Sequence, residues 1–495
     1  MRKRYILSLD EGTTSARALV YDTVEKKMVS VAQQEFKQIY PRPAWVEHDA
    51  NEIWKAQLLS MQTAVAYADI DAEEIYGIGI TNQRESVVMW DVVSGKPIYN
   101  SICWQCRRTA DYCEDLKKQG LEPFIRERTG LVIDAYFSAS KIRWLLDNVP
   151  SVPKLLAEKR LRVGTMDTFL IWKLTDGKTF ATDSTNASRT MLFNIKTNDW
   201  DSDLLKIFGI PREILPSIVP SSGIVGYTTL LGKKVPIAGI AGDQQASLFG
   251  QACFSQGMAK NTYGTGCFIL VNIGDKFQLS EDNLITTVAW NIGGKLTYAY
   301  EGSVFNAGSS VQWLRDELFM IEKASDTERY ALKVPDTNGV YVVPAFTGLG
   351  APHWDMNARG TVCGLTRGAN KYHFVRAVLE SMAYSSYDVL HAMEKDVGKI
   401  KVLKVDGGAS NNNFLMQFQS DIMDTVIARP VITETTGLGV AYLAGLATGA
   451  YKSLDDISAN WVKEKEFVPT MDKNLAKSKL AGWEKAVEKS KSWEA

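Results

Sequence analysis

Asp10-Glu11-Gly12-Thr13-Thr14-Ser15 places carboxylates, a glycine and three hydroxyls in succession after the apolar run from Tyr5 to Leu9. Backbone N–H groups and hydroxyls of a tight turn can cradle phosphoryl oxygens, while a strand-end carboxylate holds a magnesium ion or its waters. Arg17, two residues beyond Ser15 on the same strand face, can meet phosphate charge as well. A plain β-hairpin with an acidic turn fits the segment equally well. No Gly-Lys-Thr follows, so it is not a Walker loop. Gly264-Thr265-Gly266 offers a second anion-binding turn, because two glycines let backbone approach a ligand closely. Asp406-Gly407-Gly408-Ala409-Ser410 is a strand-end glycine turn suited to lie against an adenosine, or a β-turn before a helix cap.

Ala241-Gly242-Asp243-Gln244-Gln245-Ala246 carries the best candidate for a catalytic group. It follows the apolar strand pattern from Val235 to Ile240 and opens a helical stretch. Asp at such a position is often only an N-cap. Phosphoryl transfer to an alcohol, however, needs one carboxylate to accept the hydroxyl proton, and Asp243 stands just before the second glycine turn. Asn82-Gln83-Arg84-Glu85 closes another buried-strand pattern. Adjacent Arg and Glu point to opposite faces of a strand, the surface reading. At a strand end both can reach a polyol, Arg donating and Glu accepting. Trp104 and Tyr136 can add an apolar wall and a hydroxyl.

These groups need elements to hold them. Tyr5 to Val20 reads as strand, tight turn, strand, and Met258 to Val271 repeats that outline about half a chain later. Two such hairpins, each opening one half of the chain, predict a duplicated domain with a cleft between the copies. Strand patterns at Glu74–Thr81 and Lys401–Gly408 alternate with helical ones, which argues for mixed α/β domains with a seam near residue 250. Asp49-Ala50-Asn51-Glu52 fits a capping box, with Ile53, Trp54, Leu58, Met61 and Val65 on the apolar stripe of the helix it starts. Asn411–Phe418 reads as a helix start and Phe374–His391 as a long helix. Lys473–Glu494 reads as a charged terminal helix interrupted by Gly482.

The 495 residues carry 56 Lys+Arg against 57 Asp+Glu, with 45% apolar and 23% charged types. No overall basic field attracts nucleic acid or an anionic membrane, and no apolar run reaches the roughly 18 residues of a membrane span. The basic start Met1-Arg2-Lys3-Arg4 resembles a signal n-region, but Asp10 and Glu11 cut the following apolar segment short, so a soluble cytoplasmic protein is expected. Cys103, Cys106 and Cys113 cluster without a second ligand pair and are expected to be small half-buried residues around Trp104.

Taken together, Ser8–Arg17, Gly79–Glu85, Gly239–Ala246, Asn261–Gly266, Gly350–Asp355 and Asp406–Ala409 resemble the FGGY carbohydrate-kinase family along essentially the whole chain. The resemblance implies an α/β fold of two duplicated actin-like, ribonuclease-H-like ATPase domains around an interdomain catalytic cleft. Residues 1–250 would form the N-terminal domain with the polyol site and phosphate turn, and 251–495 the C-terminal domain with the nucleotide site. It also implies ATP-dependent phosphorylation of glycerol to sn-glycerol 3-phosphate, with Asp243 as general base. Arg84, Glu85, Tyr136, Asp243 and Gln244 would then be polyol ligands, and Trp104 and Phe268 apolar walls. Thr13, Thr14, Ser15, Arg17 and Thr265 match phosphate contacts, Asp10 the Mg2+ position, and Gly308, Gln312, Ala409 and Asn413 nucleotide positions. A homodimer or tetramer is the assembly implied. Thr228–Lys234 lacks the histidine through which some relatives are regulated. The rival readings are a family kinase acting on xylulose or gluconate and, outside enzymes, an actin-like ATP-binding protein.

Overall fold

The computed structural model describes residues 3–494; Met1 and Arg2 of the basic start lie outside the described residues. The N-terminal repeat unit folds as the expected hairpin, β1 (Tyr5–Glu11) against β2 (Ser15–Asp22), with Asp10 directly opposite Arg17. β3 (Lys27–Glu35) extends the meander, and β4 (Ile75–Asn82) lies parallel to β1 on its other side. β5 (Ser222–Thr228) pairs antiparallel with β6 (Val235–Gly242), and β6 is parallel to β4.

The second half repeats the arrangement. β7 (Ala259–Tyr263) and β8 (Cys267–Gly274) form the hairpin, and β9 (Ile285–Ile292) and β10 (Lys295–Val304) continue it beyond β8. β11 (Val402–Asp406) and β12 (Val426–Pro430) add parallel strands beyond β7, and β13 (Lys463–Phe467) closes the edge antiparallel. The order β3-β2-β1-β4-β6 thus has the same succession of antiparallel and parallel pairings as β10-β8-β7-β11-β12. The duplication covers a whole five-strand unit, not the hairpin alone. The halves join into one 13-stranded sheet through a single bridge, Ser222 to Ile292.

Each unit delivers a helix to the junction. α1 (Ala50–Ala68) covers β2 and β3, burying Ile53 and Met61 fully and Trp54, Leu58 and Val65 in part. Asp49 caps it through Asn51 N at 2.8 Å, a simple N-cap in place of the expected capping box, because the bond goes to the second helical residue and not to Glu52. α2 (Asp243–Gly250) follows β6, and after α3 (Gly308–Asp316), α4 (Lys371–Val397) and α5 (Asn413–Met423), α6 (Thr435–Thr448) follows β12. α2 and α6 are therefore counterparts, and they cross in direct contact. A Cβ on Gly439 would overlap the carbonyl oxygen of Ala246. Glycine there lets the two backbones touch, a separation that any side chain would widen.

Two other expectations are corrected. α5 starts at Asn413, capped by Asn412, because Gly408–Asn411 first makes a 3-10 turn. α7 (Lys473–Ser490) runs through Gly482 without interruption; a Cβ there would overlap the Tyr341 ring, so the glycine serves packing. Among the described residues no helix is long and apolar enough to cross a membrane.

Candidate active site

Arg84 and Glu85 follow the end of β4, where the backbone of Glu85 turns left-handed (φ 62°). That turn breaks the strand alternation, so both charges are buried rather than placed on opposite faces. The Arg84 guanidinium forks onto Glu301 of β10, Nη1 to Oε2 at 2.5 Å and Nη2 to Oε1 at 3.0 Å. Nη1 also donates to Gln245 Oε1 at 3.1 Å, Nη2 reaches the Tyr136 hydroxyl at 3.5 Å, and Nε lies 2.9 Å from Asp243 Oδ1. Arg189, wholly buried, donates to Glu85 Oε1 at 2.6 Å and Glu301 Oε1 at 2.9 Å. Two arginines and two glutamates thus balance one another away from water, where an unpaired charge would be costly. Burial pushes Glu301 up, but Arg189 and Arg84 outweigh it and hold the carboxyl at about 2. For Glu85 burial wins over the same arginines and the shift is upward.

Tyr136 is held through its backbone. Lys141 Nζ donates to the carbonyls of Ala135, Tyr136 and Phe137 at 2.7, 2.5 and 3.0 Å, and Asp134 accepts from Tyr136 N at 2.7 Å. The Trp104 ring meets Tyr136 edge-on at 5.7 Å and Phe268 at 6.5 Å, which makes an aromatic wall from both halves. Trp104 Nε1 also donates to Thr13 Oγ1 at 3.0 Å, so the aromatic wall and the first glycine turn share a contact. Cys103, Cys106 and Cys113 behind it are fully buried free thiols, rather than half-buried.

Asp243 is the first residue of α2; Gly242 occupies the cap position, so the N-cap alternative does not describe it. Its side chain keeps 32% exposure beside the buried Arg84. Oδ1 accepts from Gln244 N at 2.7 Å and Oδ2 from Gln244 Nε2 at 3.1 Å. Behind Gln244 stands Lys260 of β7, with no solvent exposure, donating to Gln244 Oε1 at 2.6 Å and Thr262 Oγ1 at 2.8 Å.

At the first turn, Gly12 N bonds Ser15 O at 2.9 Å, leaving Thr14 exposed and Thr13 and Ser15 partly so. Gln38 Nε2 donates to Thr13 O at 3.0 Å, and His48 Nε2 bonds Gln38 Oε1 at 2.8 Å from behind. Arg17 lies 3.1 Å from Asp10 and 3.0 Å from Glu434, just before α6. Burial raises the Asp10 carboxyl against the pull of Arg17. A cation there would relieve that penalty, and one carboxylate suits a magnesium ion that keeps waters and takes phosphate oxygens. Asp10 therefore fits the group. Neighbouring Glu11 is also pushed up by burial; Gln83 donates to Oε1 at 2.7 Å and Oε2 is buried without a partner.

The second turn packs against α3: Gly308 N donates to Gly264 O at 3.1 Å, and Ala307 N and Ser309 N to Thr265 O at 2.9 and 3.1 Å. Between this turn, α3 and the Gly408 turn lies a cavity of about 520 Å³. Gly264, Thr265, Gly308, Gln312 and Ala409 line it, and so do Asn411 and Asn412. Asn413 is not in the lining; its Oδ1 accepts from Arg429 and Lys465, both at 3.2 Å.

Sequence reasoning missed Glu301, Arg189, Gln245 and Lys260. A charged residue inside an apolar strand pattern was the available signal for Glu301 and Lys260; Arg189 had none.

The N-terminal domain of the FGGY family of carbohydrate kinases matches residues 5–250, and its C-terminal domain residues 259–448. The chain belongs to the FGGY family of carbohydrate kinases. Among FGGY relatives, a glycerol kinase of Brachyspira hyodysenteriae is 57% identical over 99% of both chains. One of Carboxydothermus hydrogenoformans is 56% identical over 100% of this chain and 99% of the relative. The crystal structure of Plasmodium falciparum glycerol kinase with ADP superposes with a TM-score of 0.89, at 36% identity over 99% of both chains. A Lactobacillus acidophilus xylulose kinase, 24% identical with a TM-score of 0.84 over 98% of this chain and 96% of its own, shares the two-domain α/β FGGY fold.

Proposed function

We propose that this chain transfers the γ-phosphate of ATP to glycerol, giving sn-glycerol 3-phosphate, with Asp243 as general base. The observation that carries the reading is the 2.9 Å contact between Asp243 and Arg84 Nε, where proton acceptor and polyol reader meet at one point of the cleft. Full-length similarity to relatives named glycerol kinase supports the choice of acceptor.

In this mechanism glycerol lies against Trp104 and Phe268, whose rings leave little room for a five-carbon chain. Tyr136 and the Arg84 Nη2 hydrogen that faces it bind one hydroxyl, and Glu85 accepts from a neighbour. Asp243 takes the proton of the terminal hydroxyl as its oxygen bonds to the γ-phosphorus and the bond to ADP breaks. Thr13, Thr14, Ser15, Arg17 and Thr265 act on the phosphates as charge develops, and Gly308, Gln312 and Ala409 hold the nucleotide. Asn413 acts at one remove, through the turn it follows. Asp10 would hold magnesium, which when bound supplies positive charge against phosphate oxygens. We extend the reading to a cytoplasmic homodimer or tetramer, on the family resemblance alone.

Asp243→Asn keeps the shape of the site and removes the proton acceptor. Its turnover should fall by ~10² or more, the scale of a lost general base, while ADP binding followed by fluorescence or calorimetry is retained. Near-full turnover in this variant would contradict the assignment.

A further inference from the structure

Lys260 is a buried cation in the first strand of the second half, and the mechanism above leaves it without a role. Its amine reaches across the junction to Gln244, the residue after the proposed base, at 2.6 Å. An ammonium only donates, so the Gln244 atom facing it must be the carbonyl oxygen Oε1. The two ends of a glutamine amide are otherwise hard to tell apart, but this partner decides between them. The amide nitrogen Nε2 is thereby turned to Asp243 Oδ2, 3.1 Å away.

We propose that Lys260 is a positioning residue for phosphoryl transfer: it locks the Gln244 amide so that its N–H group, and not its oxygen, faces the Asp243 carboxylate. The inference rests on the reading of Asp243 as general base. Without Lys260 the amide can flip, its oxygen meets the carboxylate, and like partial charges push the base out of place. Three features agree with this role. Thr262 Oγ1, at 2.8 Å, anchors a second amine hydrogen, which limits the lysine to one rotamer. Ser247, one turn along α2 from Gln244, bonds to Thr262 at 3.0 Å and to Asp406 at 2.9 Å, so strand and helix are pinned at both ends of the relay. Burial pulls the ammonium down to about 8, while Asp406 and Asp243 draw it back up, as befits a cation kept among carboxylates in a dry site.

A double-mutant cycle tests it. Steady-state kinetics with glycerol and Mg·ATP would be measured for the wild type, Lys260→Met, Gln244→Ala and the double variant, with thermal unfolding and ADP binding as checks of folding. On the wild-type background Lys260→Met should lower kcat by about tenfold or more, the size of coupling found within buried networks. On the Gln244→Ala background the same change should cost less than about twofold, because the lysine then has no amide to orient. Equal losses on both backgrounds, or none on either, would overturn the proposal while leaving Asp243 as base. A wild type without glycerol-dependent turnover would overturn both. Should the methionine variant not fold, Lys260→Gln, whose amide ends one bond short of Gln244, carries the same pair of expectations.

Discussion

Arg84 has five N–H donors, and the protein occupies almost all of them before any substrate binds. Glu301, Gln245 and Asp243 take Nη1, Nε and one Nη2 hydrogen, which leaves the Nη2 hydrogen that faces Tyr136. The guanidinium is therefore a fixed instrument with one open position, and Glu301 sets its angle. Glu301→Gln removes the negative charge and turns one of the two acceptor oxygens into a donor, so at least one of the bonds from Arg84 and Arg189, each worth about 1.5–3 kcal/mol, is lost. We expect the glycerol KM to rise by about tenfold or more, with the ATP KM changed by less than about twofold, in steady-state assays varying each substrate. An effect confined to ATP would move Arg84 out of the polyol site. Arg84 and Glu85 were legible as a charged pair at a strand end. Glu301 was not, because it lies 217 residues from Arg84, and linear spacing carries no trace of a contact made only when two halves meet.

At the scale of elements, the site depends on how a hairpin and two crossing helices are held. The first turn is braced from behind by the chain His48, Gln38, Thr13. Gln38 gives its N–H to Thr13, so its oxygen accepts from His48 Nε2; Nδ1 is then an unprotonated nitrogen, buried without a partner. Burial lowers the His48 ring from its usual 6.5 to about 4. The unfolded chain therefore binds this proton first. The stability His48 contributes is complete above about pH 6.5 and is lost as pH falls toward 4. Urea midpoints measured from pH 7 to pH 4 should decline more steeply for the wild type than for His48→Gln; parallel curves would exclude this histidine as the cause. The hairpins were legible because alternation and glycine turns are local signals. The crossing of α2 and α6 was not, since Gly439 in sequence is only a glycine in an apolar helix, and its reason is the Ala246 carbonyl from the other half.

Over the whole molecule, repeated topology turns two hairpins into facing jaws. One strand bridge joins the half-sheets, while Arg84–Glu301, Arg17–Glu434 and Lys260–Gln244 tie the halves together around the site. The duplicated α/β fold and its cleft were legible from two similar turns half a chain apart, and Asp243 stood out as a candidate by its residue type and its place between a strand and the second glycine turn. The ties were not, because each joins a residue of one half to a residue of the other. A site completed by both halves can exclude water, so phosphoryl transfer to solvent should be slow when no acceptor is bound. The most direct test is ADP release from Mg·ATP with glycerol, xylulose, gluconate, erythritol or no acceptor. Strong release with glycerol, and little with the five- and six-carbon acceptors or with none, is the predicted result. A larger acceptor outrunning glycerol, or slow release indifferent to every acceptor, would contradict the polyol site built on Arg84, Glu85 and Trp104.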